Sequence, residues 1–120
     1  MFMRAEDTPE AITSAWAEFE ELVGLKGRKF FGSFDPIAKE YRVCVQLRDG
    51  DDPETLGLEH ATLPGGWYLR ARLHGEPPAL YQRIAPTWAR LEKHAATDMS
   101  RPAIEFYRSR DVIDLLLPVA

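Results

Sequence analysis

Apolar and polar positions divide the chain into stretches of helical and of strand period. Between Asp7 and Gly24, Ile12, Trp16, Phe19 and Val23 fall on one stripe while Glu18, Glu20 and Glu21 face water, which predicts an amphipathic helix. Asp7 stands three positions before Glu10 as a capping box, Pro9 lies in the first turn and Gly24 supplies the stop. Lys26 to Phe34, rich in aromatics, reads as a strand, and Asp35-Pro36 as a turn. Glu40 to Leu47 then alternates, with Tyr41, Val43, Val45 and Leu47 on one side and Arg42, Cys44 and Gln46 on the other, completing a hairpin.

Arg48 to Gly57 is acidic and broken by glycine and proline, so it reads as a solvated hinge; the positions of Asp49, Asp51 and Asp52 do not follow a calcium loop. Leu58 to Leu63 is predicted as a short strand, Pro64-Gly65-Gly66 as a bend, and Trp67 to His74 as a second alternating strand. Glu76 to Ala95 forms the second helix, with Leu80, Ile84, Trp88 and Leu91 as its apolar stripe. Pro86, inside that helix, removes a backbone hydrogen bond and is expected to kink it. Arg101 to Val119 closes the chain as two strands joined by a turn at Ser109-Arg110.

A repeat with an offset of seventy-two positions carries Ser14-Ala-Trp-Ala-Glu-Phe-Glu20 onto Pro86-Thr-Trp-Ala-Arg-Leu-Glu92, and Tyr41-Arg-Val-Cys-Val-Gln-Leu47 onto Ile113-Asp-Leu-Leu-Leu-Pro-Val119. Each half is helix, strand, strand, and each leaves an apolar helix stripe and a sheet face to cover. The predicted fold is therefore α+β. Two βαββ-type repeats in a pseudo-two-fold arrangement, about 1–48 and 58–120, share one antiparallel sheet with two helices packed on it and an acidic hinge at 49–57. Few residues precede the first helix, so its leading strand is short, a stub at Phe2 to Arg4, or missing. If it is missing, an open sheet edge could pair with a second subunit as a homodimer.

Composition narrows the classes. A chain of 120 residues, 45% hydrophobic and 28% charged, suits a single globular domain. A formal charge of −4 with no basic stripe argues against a nucleic-acid partner. No apolar run approaches the ~20 residues of a membrane helix, and no signal-like apolar segment follows Met1, so the expected location is the cytoplasm. Cys44, the one cysteine, can form no internal disulfide and reads as a buried, unreactive thiol. His60 and His94 lack ligand spacing, and no metal or cofactor motif is visible.

Candidate chemistry centres on Glu105. In Ile104-Glu-Phe-Tyr107, alternation places Glu105 and Tyr107 on one face, between apolar neighbours. A half-buried carboxylate needs a cation or hydrogen-bond donors to meet it; an arginine, Arg70 or Arg72, is the structural alternative to a ligand. Trp16 reads either as core or as the wall of a pocket.

Leu63-Pro-Gly-Gly-Trp-Tyr, His74-Gly-Glu-Pro and Arg101-Pro-Ala-Ile-Glu-Phe-Tyr, in that order, resemble the three motifs of the GyrI-like small-molecule-binding domain, the effector-binding module of bacterial multidrug-responsive activators. The resemblance implies an aromatic cleft between the halves with Glu105 at its base, where lipophilic cations bind. Tyr107, Tyr68, Trp67, Tyr41 and Trp88 are its expected ligand-binding companions, and His74 belongs structurally to the helix-start motif. No helix-turn-helix segment accompanies these motifs, so the chain reads as a stand-alone binding domain. Two other functions attach to the family: hydrolysis of strained cyclopropane-containing alkylating compounds, with Glu105 as base, and inhibition of DNA gyrase by protein contact. The repeat also makes a geometric prediction, that Tyr41 faces the same cavity as Glu105.

Overall fold

The computed structural model describes all residues, Met1–Ala120. Its elements are β1 (Phe2–Glu6), α1 (Pro9–Val23), β2 (Phe30–Asp35), β3 (Glu40–Val45), α2 (Pro53–Leu56), β4 (Tyr68–His74), α3 (Ala79–Gln82), α4 (Ile84–His94), β5 (Ala103–Ser109) and β6 (Val112–Pro118). The six strands form one antiparallel sheet in the order β1-β3-β2-β5-β6-β4. This is an α+β architecture in which β1-α1-β2-β3 and β4-α3-α4-β5-β6 are related about the β2–β5 pair. The leading strand is present: β1 runs antiparallel to β3, and a bridge from Phe2 to Glu59 covers part of its outer edge. The condition that would have opened that edge to a second subunit is thus not met.

Strand alternation gives the sheet two faces. On one, Val43 and Val45 pack with Ala15, Phe19 and Val23 of α1, while Ile113, Leu115, Leu117 and Leu73 pack with Leu80 and Leu91 of the second helical segment. Burying each such side chain contributes about 1.5–3 kcal/mol. The helices match at the repeat offset: Ala15 and Thr87 are buried, Phe19 and Leu91 are buried, and the pairs Ile12 with Ile84 and Trp16 with Trp88 are half-buried. The apolar stripes therefore divide. One edge enters the core and the other edge looks toward the dyad.

Several local expectations are corrected. Thr8, not Asp7, caps α1, its hydroxyl accepting from the Ala11 amide at 3.2 Å. β2 begins at Phe30 because Arg28 turns aside to grip Asp51, at 2.6 and 2.7 Å, with both side chains buried. The stretch 49–57 is accordingly no solvated hinge: Asp51 is paired, and Asp52 caps the single turn α2. Leu58 to Leu63 is not a strand beyond its bridge at Glu59; the segment crosses the far face of the sheet toward β4. The second helix is split at Arg83 into α3 and α4. That break leaves Pro86 in the first turn of α4, where a missing N–H costs little. The last turn lies one residue later than expected, at Arg110-Asp111.

On the far face Asp114, 1% exposed, accepts from Arg72 at 2.7 and 3.1 Å and from Arg108. Arg72 is therefore committed to Asp114 and does not reach Glu105. Phe31 and Phe106 stack across β2 and β5 with centroids 4.6 Å apart.

Asp114 supplies an acid-sensitive contribution to stability. Its hydrogen bond from Arg72, reinforced by Arg108, lowers its pKa from 3.8 to about 2 against the opposing effect of burial. A carboxyl whose folded pKa is depressed stabilises the fold fully above its unfolded value and loses that contribution as pH falls through the folded one. Asp114→Asn is expected to lower stability at pH 7 by roughly 1–3 kcal/mol, the range for a hydrogen-bonded charge with partly solvated partners. Its stability should also decline less than the wild type's between pH 4 and pH 2. Urea midpoints at both ends of that interval check this; parallel acid slopes would remove Asp114 from the role.

Candidate functional site

The two halves leave a cleft of about 430 Å³ between α1 and α3, floored by the central strands. Ile12, Thr13, Trp16 and Glu20 of α1 form one wall and Tyr81 of α3 stands opposite. Phe30, Tyr41, Glu105 and Tyr107 rise from the sheet. Trp16 meets Tyr107 edge to face at 5.2 Å, Phe30 at 6.0 Å and Phe19 at 6.3 Å. These contacts fix the ring at the boundary of core and cleft, so it belongs to both.

At the floor, three neutral groups converge on Glu105. The Tyr41 hydroxyl donates to Oε1 at 2.6 Å, the Tyr107 hydroxyl to the same oxygen at 2.8 Å, and the Trp88 indole Nε1 to Oε2 at a longer 3.4 Å. Burial, and then the charge of Glu105, hold both phenols well above their ordinary pKa of 10, so they stay protonated and remain donors. No arginine, lysine or histidine pairs with Glu105 or lines the cleft. Hydrogen bonds lower the cost of holding a carboxylate here, but cancel none of its charge.

Gly32 makes this cluster possible. It lies on β2 directly opposite Glu105 on β5 and beside Val43 on β3. A Cβ there would collide with the Tyr41 hydroxyl, stand 2.8 Å from Tyr41 Cζ and lie 2.7 Å from Glu105 Oε1. Carboxylate and phenol meet over β2 because that strand has no side chain at this point.

Of the residues expected at the site, Glu105, Tyr107 and Tyr41 line the cleft, and Trp88 reaches its carboxylate from α4. Tyr68 and Trp67 are elsewhere. Leu69, Ala71 and Leu73 turn toward the helices, so alternation sends Tyr68 to the far face, where its hydroxyl donates to the Pro64 carbonyl at 2.7 Å under the Arg101 guanidinium. Trp67 precedes β4 and is 78% exposed. β4 is also an edge strand, separated from β5 by β6. His74 is exposed at the end of β4, opposite Val112; its imidazole makes no hydrogen bond in the protein, and its carbonyl accepts from Arg83 at 2.6 Å.

Sequence reasoning missed Glu20 and Tyr81. Glu20 follows Trp16 by four positions, one helical turn, and that spacing was the available signal. Tyr81 depends on the break at Arg83, which the helical period does not reveal.

A larger cavity, about 670 Å³, lies on the far face beneath residues 61–64. Of its two carboxylates, Glu40 is paired, accepting from Arg4 and Arg42 at 2.8 Å each, and Asp35 is exposed to water and accepts from the Ile37 amide at 2.9 Å. Cys44 lies there too, its thiol pushed up to about 11 by burial and so protonated and inert at neutral pH. The sheltered carboxylate without a cation, Glu105, is in the smaller cleft, which we take as the candidate site.

Fold and site together define a pseudo-symmetric α+β protein of two βαββ halves with an aromatic, carboxylate-floored cleft between them. No protein-family model matches the chain, and no curated protein matches its sequence. Among solved structures it is similar to an integron cassette protein from the mobile metagenome of Vibrio cholerae, with a TM-score of 0.67 and 16% identity over 100% of this chain and 87% of that one. At that identity the likeness shows the fold alone.

Gly32→Ala is expected to lower stability by roughly 1–3 kcal/mol through overpacking. In a Tyr41→Phe background the same substitution should cost less, because the hydroxyl that meets the new methyl is gone. Denaturation of the four variants of this cycle checks it; strictly additive costs would show that the two residues do not share the space.

Proposed function

We propose that the chain binds small amphipathic organic cations in this cleft, as a member of the GyrI-like effector-binding class. One observation carries the reading: the Glu105 carboxylate meets three neutral donors and no cation, in a cleft walled by Trp16, Tyr107, Phe30 and Tyr81. Such a site favours a desolvated organic cation through Coulomb attraction and through the negative faces of the rings. A hydrated inorganic ion would gain little from those rings.

Hydrolysis with Glu105 as base has less support. Oε1 already accepts two phenolic hydrogens, which occupy both of its lone pairs, and no histidine, cysteine or serine lines the cleft to assist. For contact inhibition of gyrase, nothing in the cleft speaks.

Glu105→Gln keeps the shape of the side chain and removes its charge. We expect titration calorimetry to show at least tenfold weaker binding of a lipophilic monocation, about 1.4 kcal/mol or more, with little change for a neutral aromatic ligand of similar size. Equal loss for both ligands, or for neither, would make Glu105 a structural residue and sink the proposal.

A further inference from the structure

We infer that Glu20 makes the cleft a two-anion site, whose preferred ligands are elongated organic dications with an aromatic or apolar body. The inference rests on the cation-binding reading of the cleft and names the ligand class within it.

Glu20 stands on α1 one turn beyond Trp16 and lines the same cleft as Glu105. It is half-buried, and no hydrogen bond or ion pair in the protein engages its carboxylate. The surroundings differ from those of Glu105: where Glu105 has three donors, Glu20 faces the cleft with none. Burial pushes its carboxyl above the usual glutamate value, as expected of a group that has lost water and gained no partner. Glu92, which the repeat places at the equivalent position of α4, is exposed. The desolvated carboxylate is therefore peculiar to the α1 wall.

A monocation seated on Glu105 leaves the charge on the wall unmet. A second positive centre on the same ligand would meet it without ordering another molecule. The rings of Trp16, Tyr107 and Tyr81 line the same cleft as the two carboxylates, and they suit the body of the ligand. The cleft volume of about 430 Å³ lies within the range for small-molecule sites.

The test is titration calorimetry at low salt with benzyltrimethylammonium as monocation, 1,4-xylylene-bis(trimethylammonium) as a rigid dication, and bis(trimethylammonium) alkanes of graded spacer length. The best-spaced dication should bind the wild type at least about tenfold more tightly than the monocation. Glu20→Gln should erase that advantage while changing monocation affinity by no more than about threefold, the scale of a partly solvated charge. Glu92→Gln, which removes the same formal charge from α4, should preserve it. A dication advantage that survives Glu20→Gln, or that falls equally in Glu92→Gln, overturns the inference and leaves the cation site standing. If the wild type binds neither class, both readings fall together. A monocation that binds, with no dication gaining on it at any spacer length, removes the role of Glu20 alone.

Discussion

The organisation of the molecule depends on one close approach, that of the Tyr41 hydroxyl and the Glu105 carboxylate above Gly32. The middle of a six-stranded sheet is its most enclosed region, and on the helix face every neighbouring strand contributes apolar side chains. A carboxylate is tolerated there only with donors already in place. Tyr41 comes from β3, Tyr107 from β5 and Trp88 from α4, so both halves must be assembled before the anion is satisfied. The site is thus a product of the docking of the halves and belongs to neither.

The parts of the fold that the sequence displayed are those governed by period. The stripe on α1, the alternation of β3 and β4, and the offset that pairs Trp16 with Trp88 all follow from which side of an element an apolar residue must occupy. Alternation likewise placed Glu105 beside Tyr107, and the repeat brought Tyr41 toward them. What was not legible depended on partners far along the chain. Arg28 stops β2 from starting earlier because Asp51, twenty-three residues on, holds it; the same pair orders a stretch whose composition reads as a hinge. Tyr68 and Trp67 were misplaced because a motif fixes order along the chain, whereas the cleft depends on lateral position in the sheet, and β4 lies at its edge.

The two faces of the sheet treat charge differently. On the far face Asp114, Arg72 and Arg108 neutralise one another, and Glu40 is shared by Arg4 and Arg42. On the helix face, in the cleft, two carboxylates stand without a cation. Arginines are plentiful on neighbouring strands, yet alternation points Arg42, Arg70, Arg72 and Arg108 to the far side. A shift of one residue in β3 or β5 would turn Arg42 or Arg108 to the face of Glu105 and also turn the apolar set outward. The register that builds the core is therefore the register that keeps the cleft anionic.

Where the pseudo-symmetry holds and where it fails separates stability from function. Positions that build the two cores correspond in kind: Phe19 with Leu91, Ile12 with Ile84, Val43 with Leu115, Val45 with Leu117. Around the dyad the correspondence ends. Tyr41 is matched by Ile113, which is fully buried in its own core, and Glu20 by an exposed Glu92. Across the β2–β5 pair, Gly32 faces Glu105. A strictly symmetric dyad would place either two glycines there, leaving a hole with no anion, or two glutamates, whose like charges would repel in a poorly solvated space. One glycine and one glutamate avoid both outcomes. The space left by the first is filled by the carboxylate of the second and by the hydroxyl that holds it.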